Sequence, residues 1–213
     1  MNVRSLTALS VLALLAAGCS NRGEIDPSGG ITAVRTACPS VGVPAATGDV
    51  TLFNPETART ADAIDVVASI TNVRSTCNDT VDPIYTSITF DVQARRTRTD
   101  GARDVTLPFY SAVVQGGTVV TAKRVSQITV HFDAGQARAT ASGTAGAYVD
   151  RAAATLPPEV RSQIVQRRKA GQQEAAMDPL ANPAVRQAVL KATFEALVGF
   201  QLTDDQLKYN ATR

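Results

Sequence analysis

The chain has 213 residues, a formal net charge of +2, no Trp and 5% aromatic residues. That length suffices for one domain with a substantial core plus a smaller appendage, and the near balance of charge gives no support for nucleic acid as a partner. Abundant Ala, Val and Thr suit a β-rich body built from small and branched side chains.

The first stretch, Met1 to Cys19, places Arg4 before an apolar run from Leu6 to Ala17 and ends in Leu15-Ala16-Ala17-Gly18-Cys19. The run is shorter than the roughly 20 apolar residues of a spanning helix and has the layout of a signal peptide. Leu-Ala-Ala-Gly-Cys resembles the lipobox of bacterial envelope lipoproteins. The resemblance implies that residues 1–18 are cut away and that the Cys19 sulfur is acylated. It also implies a membrane partner, since at roughly 0.8 kcal/mol per buried methylene several acyl chains hold a protein firmly. The alternative for Cys19 is a free thiol behind an ordinary signal peptide. Ser20, where an Asp would favour the inner membrane, points to the outer membrane and a periplasm-facing domain. Residues 19–30 then form a lipidated tether, rich in Gly, Pro and polar side chains.

Cys38 and Cys77 are the other two cysteines. In an oxidising envelope an even pair reads as a disulfide more readily than as a metal site, with two buried thiols as the alternative. Closing a loop of about 39 residues is worth roughly 4 kcal/mol in the chain-entropy picture.

Residues 31–146 carry the strand signals. Ile31 to Cys38 reads as a peripheral strand and Pro39 to Gly48 as loop. Asp65 to Cys77 alternates as a long strand, and Asn78-Asp79-Thr80 turns the chain. Ile84, Thr86, Ile88, Phe90, Val92 and Ala94 alternate with polar neighbours, the pattern of a half-buried strand. Asp100-Gly101 suggests a hairpin to a partner strand over Val105–Val114, where Pro108 argues for an edge or a bulge. Gly116-Gly117 makes the next turn. Two short strands, Thr118–Arg124 and Val125–Asp133, precede a small-residue strand from Gln136 to Ser142. Short strands at turn-like spacing predict an antiparallel β-sandwich, immunoglobulin-like in shape.

Residues 147–213 read as a helical C-terminal segment. Leu156-Pro157-Pro158 starts a helix over Glu159–Ala176, and Met177-Asp178-Pro179 breaks it. Asn182-Pro183 starts a second helix, running to about Val198, whose apolar face includes Val185, Val189, Phe194 and Leu197. That face must dock on the sandwich or on an envelope protein partner. Thr203-Asp204-Asp205-Gln206 matches a capping box for a short last helix ending near Tyr209. The stretch from Val198-Gly199-Phe200 to Tyr209-Asn210 is similar to the ends of uncharacterised proteobacterial lipoproteins.

The chemistry is sparse. His131 is the single histidine and falls on a predicted strand surface, with only Ser126 and Asp133 near it in sequence. No phosphate loop, nucleophile elbow or helical His-Glu pair occurs, so the residues nominate no catalytic group, metal or cofactor. Asp91 and Asp133 are the acids an envelope hydrolase would have to use, and glycoside hydrolysis needs paired carboxylates about 5–10 Å apart. Arg95, Arg96, Arg98 and Arg103 cluster around the expected hairpin tip, and Arg161, Arg167, Arg168 and Lys169 lie on the first predicted helix. Both clusters read either as contacts to anionic headgroups or as solvated faces, with interleaved acids favouring the latter. The sequons at Asn78 and Asn210 read more simply as a turn and a frayed end.

Overall fold

The computed structural model describes residues 36–165 and 178–212. Cys19, the tether, residues 31–35 of the expected first strand, and Arg167, Arg168 and Lys169 lie outside the described residues. The strands are β1 (Ser40–Gly42), β2 (Asp49–Phe53), β3 (Ile64–Asn78), β4 (Ile84–Arg96), β5 (Arg103–Gln115), β6 (Val119–Phe132), β7 (Arg138–Val149) and β8 (Phe194–Phe200). The helices are α1 (Arg151–Ala154), α2 (Pro158–Val165), α3 (Pro183–Lys191) and α4 (Asp204–Thr212). The strands form two four-stranded sheets, ordered β1-β8-β5-β6 and β2-β3-β4-β7. Every pairing is antiparallel except that of β1 with β8.

The alternation in β4 dictates the layer structure. Ile84, Thr86, Ile88, Phe90, Val92 and Ala94 are all buried, as a period of two requires when one face is covered. Facing them, β5 contributes Val105, Leu107 and Phe109, β6 contributes Ile128, Val130 and Phe132, and β8 contributes Ala196, Val198 and Phe200. Phe90 and Phe109 meet edge to face across the sheets with ring centroids 5.1 Å apart. Cys38 and Cys77 are joined as a disulfide, which ties the start of the described chain to the end of β3.

Local signals account for the turns and caps. Gly116 and Gly117 both take positive φ (62° and 75°), as a tight hairpin between β5 and β6 demands. Asn182 caps α3 by accepting from the Ala184 N–H at 2.9 Å. Thr203 and Gln206 form the reciprocal capping box: the Thr203 N–H donates to Gln206 Oε1 and the Gln206 N–H donates to Thr203 Oγ1.

Several expectations are corrected. The helix begun at Asn182-Pro183 stops at Lys191, and Phe194–Phe200 is strand β8. Its inward positions, Phe194, Ala196, Val198 and Phe200, carry a period of two that fits the gap between β1 and β5, and pairing on both sides outweighs helix propensity. A strand of the sandwich therefore lies inside the segment expected to be helical, and β7 runs past the expected boundary at 146 to Val149. Of the apolar residues expected on that helix face, Phe194 packs in the core from β8 and Val185 is buried on α3, while Val189 and Leu197 are half-buried. The two short strands expected over 118–133 are one strand, β6. Ser40–Gly42, within the expected loop, is β1. Pro108 lies in an interior strand, but one residue beyond the pairing of β5 with β8, so that β6 alone flanks it as a strand. Asn210 is no frayed end: its Nδ2 donates to the carbonyls of Ala46 and Asp49 at 2.9 and 2.7 Å.

Asp100-Gly101 marks a crossover rather than a hairpin, because β4 and β5 belong to different sheets. Residues 133–137 cross between the sheets in the same way, from β6 to β7. These two arches define one end of the sandwich. The opposite, bridged end holds the disulfide, the β3–β4 and β5–β6 turns and the start of β8.

Gly143 on β7 shows how tightly the edges close. A Cβ there would stand 2.5 Å from the Phe90 ring and 3.1 Å from Ile128 Cδ1. Gly143→Ala is expected to destabilise the fold by about 1–3 kcal/mol, the usual range for overpacking, as a lower urea midpoint with an unchanged m value.

Candidate functional site

The arch end gathers the charged residues. Arg96 continues the inward register of β4 after Ala94 and is only 3% exposed. Its Nε donates to the Gln136 carbonyl at 2.9 Å and its Nη2 to the Asp133 carbonyl at 2.8 Å, while the guanidinium lies 5.1 Å from the centroid of the Phe132 ring. It thus fixes the β6–β7 arch from below. Arg103, at the start of β5, donates through both terminal nitrogens to buried Asp65 on β3, at 2.9 and 2.7 Å. This fork ties one sheet to the other. The Arg103 hydrogen bonds hold the Asp65 carboxyl below its ordinary range against the opposing effect of burial.

Of the four arginines expected to contact an anionic surface, Arg96 is therefore buried within the fold, and Arg103 is paired with Asp65 while its side chain stays 42% exposed. Arg95 and Arg98 are exposed. The cause is the crossover: an arch between sheets places one of its flanking arginines beneath the next arch, where a hairpin tip would leave them all in solvent.

On the outer face of β5 and β6, His131 sits between two carboxylates. Its Nδ1 is 2.6 Å from Asp104 Oδ1 and its Nε2 is 3.4 Å from Asp133 Oδ1, all three side chains being at least 60% exposed. The hydrogen bond to Asp104 raises the His131 pKa above 6.5, with Asp133 adding to it. Both ring nitrogens of this solvated histidine face carboxylates. Among the described residues no group of three His, Cys, Asp or Glu side chains is placed to hold a metal ion.

Asp91 lies on the outer face of β4, where its carboxylate accepts from Asn72 Nδ2 and Ser142 Oγ, both at 2.8 Å. The Asn72 bond, then the Ser142 bond, lowers its pKa. Asn72 reaches it from an irregularity in β3 and takes φ 53°, a conformation asparagine tolerates. Asp133 stands level with Arg96, about five residues or roughly 17 Å further along the strand direction. The two acids of the hydrolase reading are not brought together.

An open cleft of about 310 Å³ lies at the bridged end, lined by Thr36, Ala37, Cys38, Ser40, Ala192, Thr193 and Phe194. It contains no acid or base, since Cys38 is in the disulfide. Sequence reasoning had Asp133 and the arginines as separate candidates; it missed Asp65, Asp104 and Asn72, whose roles depend on which strands become neighbours. No protein family, curated protein or solved structure matches the chain.

As the single histidine, His131 can be titrated without assignment by NMR. Its midpoint should lie above 6.5 in the parent and fall toward that value in Asp104→Asn. Because the folded pKa is raised, the stability it contributes is present below about pH 6.5 and is lost as pH rises through the folded value. The gap in melting temperature between parent and variant should therefore close at alkaline pH.

Proposed function

We propose that this protein is a bacterial envelope lipoprotein, held on a membrane through acyl chains on Cys19, in which the β-sandwich binds or scaffolds other envelope components. The observation that carries the reading is the Cys38–Cys77 disulfide, which belongs to an oxidising compartment and follows the Leu15-Ala16-Ala17-Gly18-Cys19 stretch in the same N-terminal region. Ser20 supports the outer membrane and a periplasm-facing domain. The envelope-enzyme alternative loses support from the separation of Asp91 and Asp133.

The sandwich is immunoglobulin-like in shape on this reading. Two four-stranded sheets stacked on a shared core support it, while the run of neighbours β2-β3-β4 in one sheet departs from the immunoglobulin order, so the likeness is one of shape and not of connectivity. The arch end, with exposed Arg95, Arg98 and the Asp104–His131–Asp133 group, is the face for a charged periplasmic partner, because it lies opposite the end at which the described chain begins.

Cys19→Ala should abolish palmitate labelling and leave either an unprocessed precursor or protein released from the membrane fraction; a processed, membrane-bound variant would rule the anchor out. In crosslinked envelopes, Arg98→Glu with His131→Ala should lose partners that the parent captures while membrane retention stays unchanged and the melting temperature matches the parent at alkaline pH, where the His131 pair contributes no stability. Retention of the same partners would exclude the arch end as the binding face.

A further inference from the structure

Nine large apolar side chains are exposed among the described residues; Val125, Val165, Leu180 and Leu207 are four of them, and the other five lie at one end of the sandwich. Val119 and Val120, at the start of β6, are 56% and 59% exposed, and Tyr148, near the end of β7, is 59% exposed. Val81 in the β3–β4 turn and Leu190 near the end of α3 are also exposed. All five lie at the bridged end, and hydrogen bonds hold their elements there. Arg151 of α1 donates to the Val81 carbonyl at 2.7 Å and also to that of Asp79. Gln115 Nε2 donates to the Lys191 carbonyl at 2.6 Å, and the Gly116 N–H donates to the Thr193 carbonyl at 2.9 Å, which brings α3 against the β5–β6 turn. Tyr148 is braced by Tyr85, with centroids 4.9 Å apart. Singly exposed apolar residues are ordinary; five gathered at one end of a sandwich are not. The two arches, residues 97–102 and 133–137, carry no large apolar side chain.

The position of the anchor says what faces this end. The described chain begins at Thr36, two residues before the bridged Cys38. Thr36 is 17 residues along the chain from Cys19. The anchor-bearing chain therefore joins the sandwich at its bridged end, and a 13-residue strand such as β4, about 43 Å long, sets the arch end away from that point. Tyrosine with an apolar body and a polar tip, beside valine and leucine, suits the interfacial layer of a bilayer.

We propose that the bridged end is a membrane-apposed surface, on which Val81, Val119, Val120, Tyr148 and Leu190 enter the interfacial layer of the bilayer that carries the anchor. This rests on the lipid-anchor reading and adds a fixed orientation to it: the sandwich stands on its bridged end and presents the arches to the periplasm.

The test uses the full acylated protein, purified from membranes and reconstituted in phosphatidylethanolamine–phosphatidylglycerol vesicles, with an environment-sensitive fluorophore on Val120→Cys, Tyr148→Cys or Arg98→Cys. All three positions are exposed, so the labels leave the core intact. Emission at 120 and 148 should shift to the blue and be quenched by bromine-labelled acyl chains, with position 98 unaffected. Vesicle-bound protein with solvent-like emission at 120 and 148, or equal quenching at 98, overturns the orientation while leaving the anchor standing. A blue shift without quenching by the brominated lipid means that a second protein copy covers the patch, and also overturns it. Protein that fails to float with vesicles overturns it as well, and the mass of the N-terminal peptide then shows whether Cys19 was acylated.

Discussion

The insertion of β8 between β1 and β5 is the constraint on which the sandwich depends. Without Phe194–Phe200, β1 would have no strand beside it, β5 would be an edge, and the core would lose Phe194, Ala196, Val198 and Phe200 together. The pairing is long in range: Ser40 is matched to Glu195 and Val113 to Ala196. Closing such contacts late in the chain carries a loop-closure cost that only extensive burial offsets. Burial here is extensive, since β8 is flanked on both edges and covered on one face by the opposing sheet.

The ends of the sandwich divide the chemistry. Because β4–β5 and β6–β7 are arches between sheets, the residues flanking them meet across the two layers. Arg96 is drawn under the second arch and Arg103 to Asp65. Both interactions are structural: one holds the carbonyls of Asp133 and Gln136 in the second arch, and the other locks the sheets in relation to each other. What remains for recognition at that end is the exposed part, Arg95, Arg98 and the histidine held between two aspartates. The bridged end carries exposed valines, a leucine and a tyrosine, with Asp79, Asp82 and Arg151 among them.

Much of this was legible in the residues because it is local. The period of two in Ile84–Ala94, the glycine pair at 116–117, the asparagine cap before Pro183 and the Thr203–Gln206 box each depend on neighbours a few positions away, and all four are present. The pairing of Cys38 with Cys77 followed from there being two cysteines beyond Cys19. What the residues could not decide was anything requiring knowledge of which strands become neighbours. Phe194–Phe200 carries apolar residues compatible with either a helix face or a buried strand, and only the space between β1 and β5 selects the strand. Asp100-Gly101 suits a hairpin or an arch equally, and the choice between them sends Arg96 into the core or into solvent. The sequence by itself determined the β-rich body, the 116–117 turn and the caps, since these are set by short-range sterics and hydrogen bonding, and it supplied the two cysteines of the bridge; only the tertiary structure decided the place of β8, the arches and the fate of the arginines, since these depend on long-range pairing of strands.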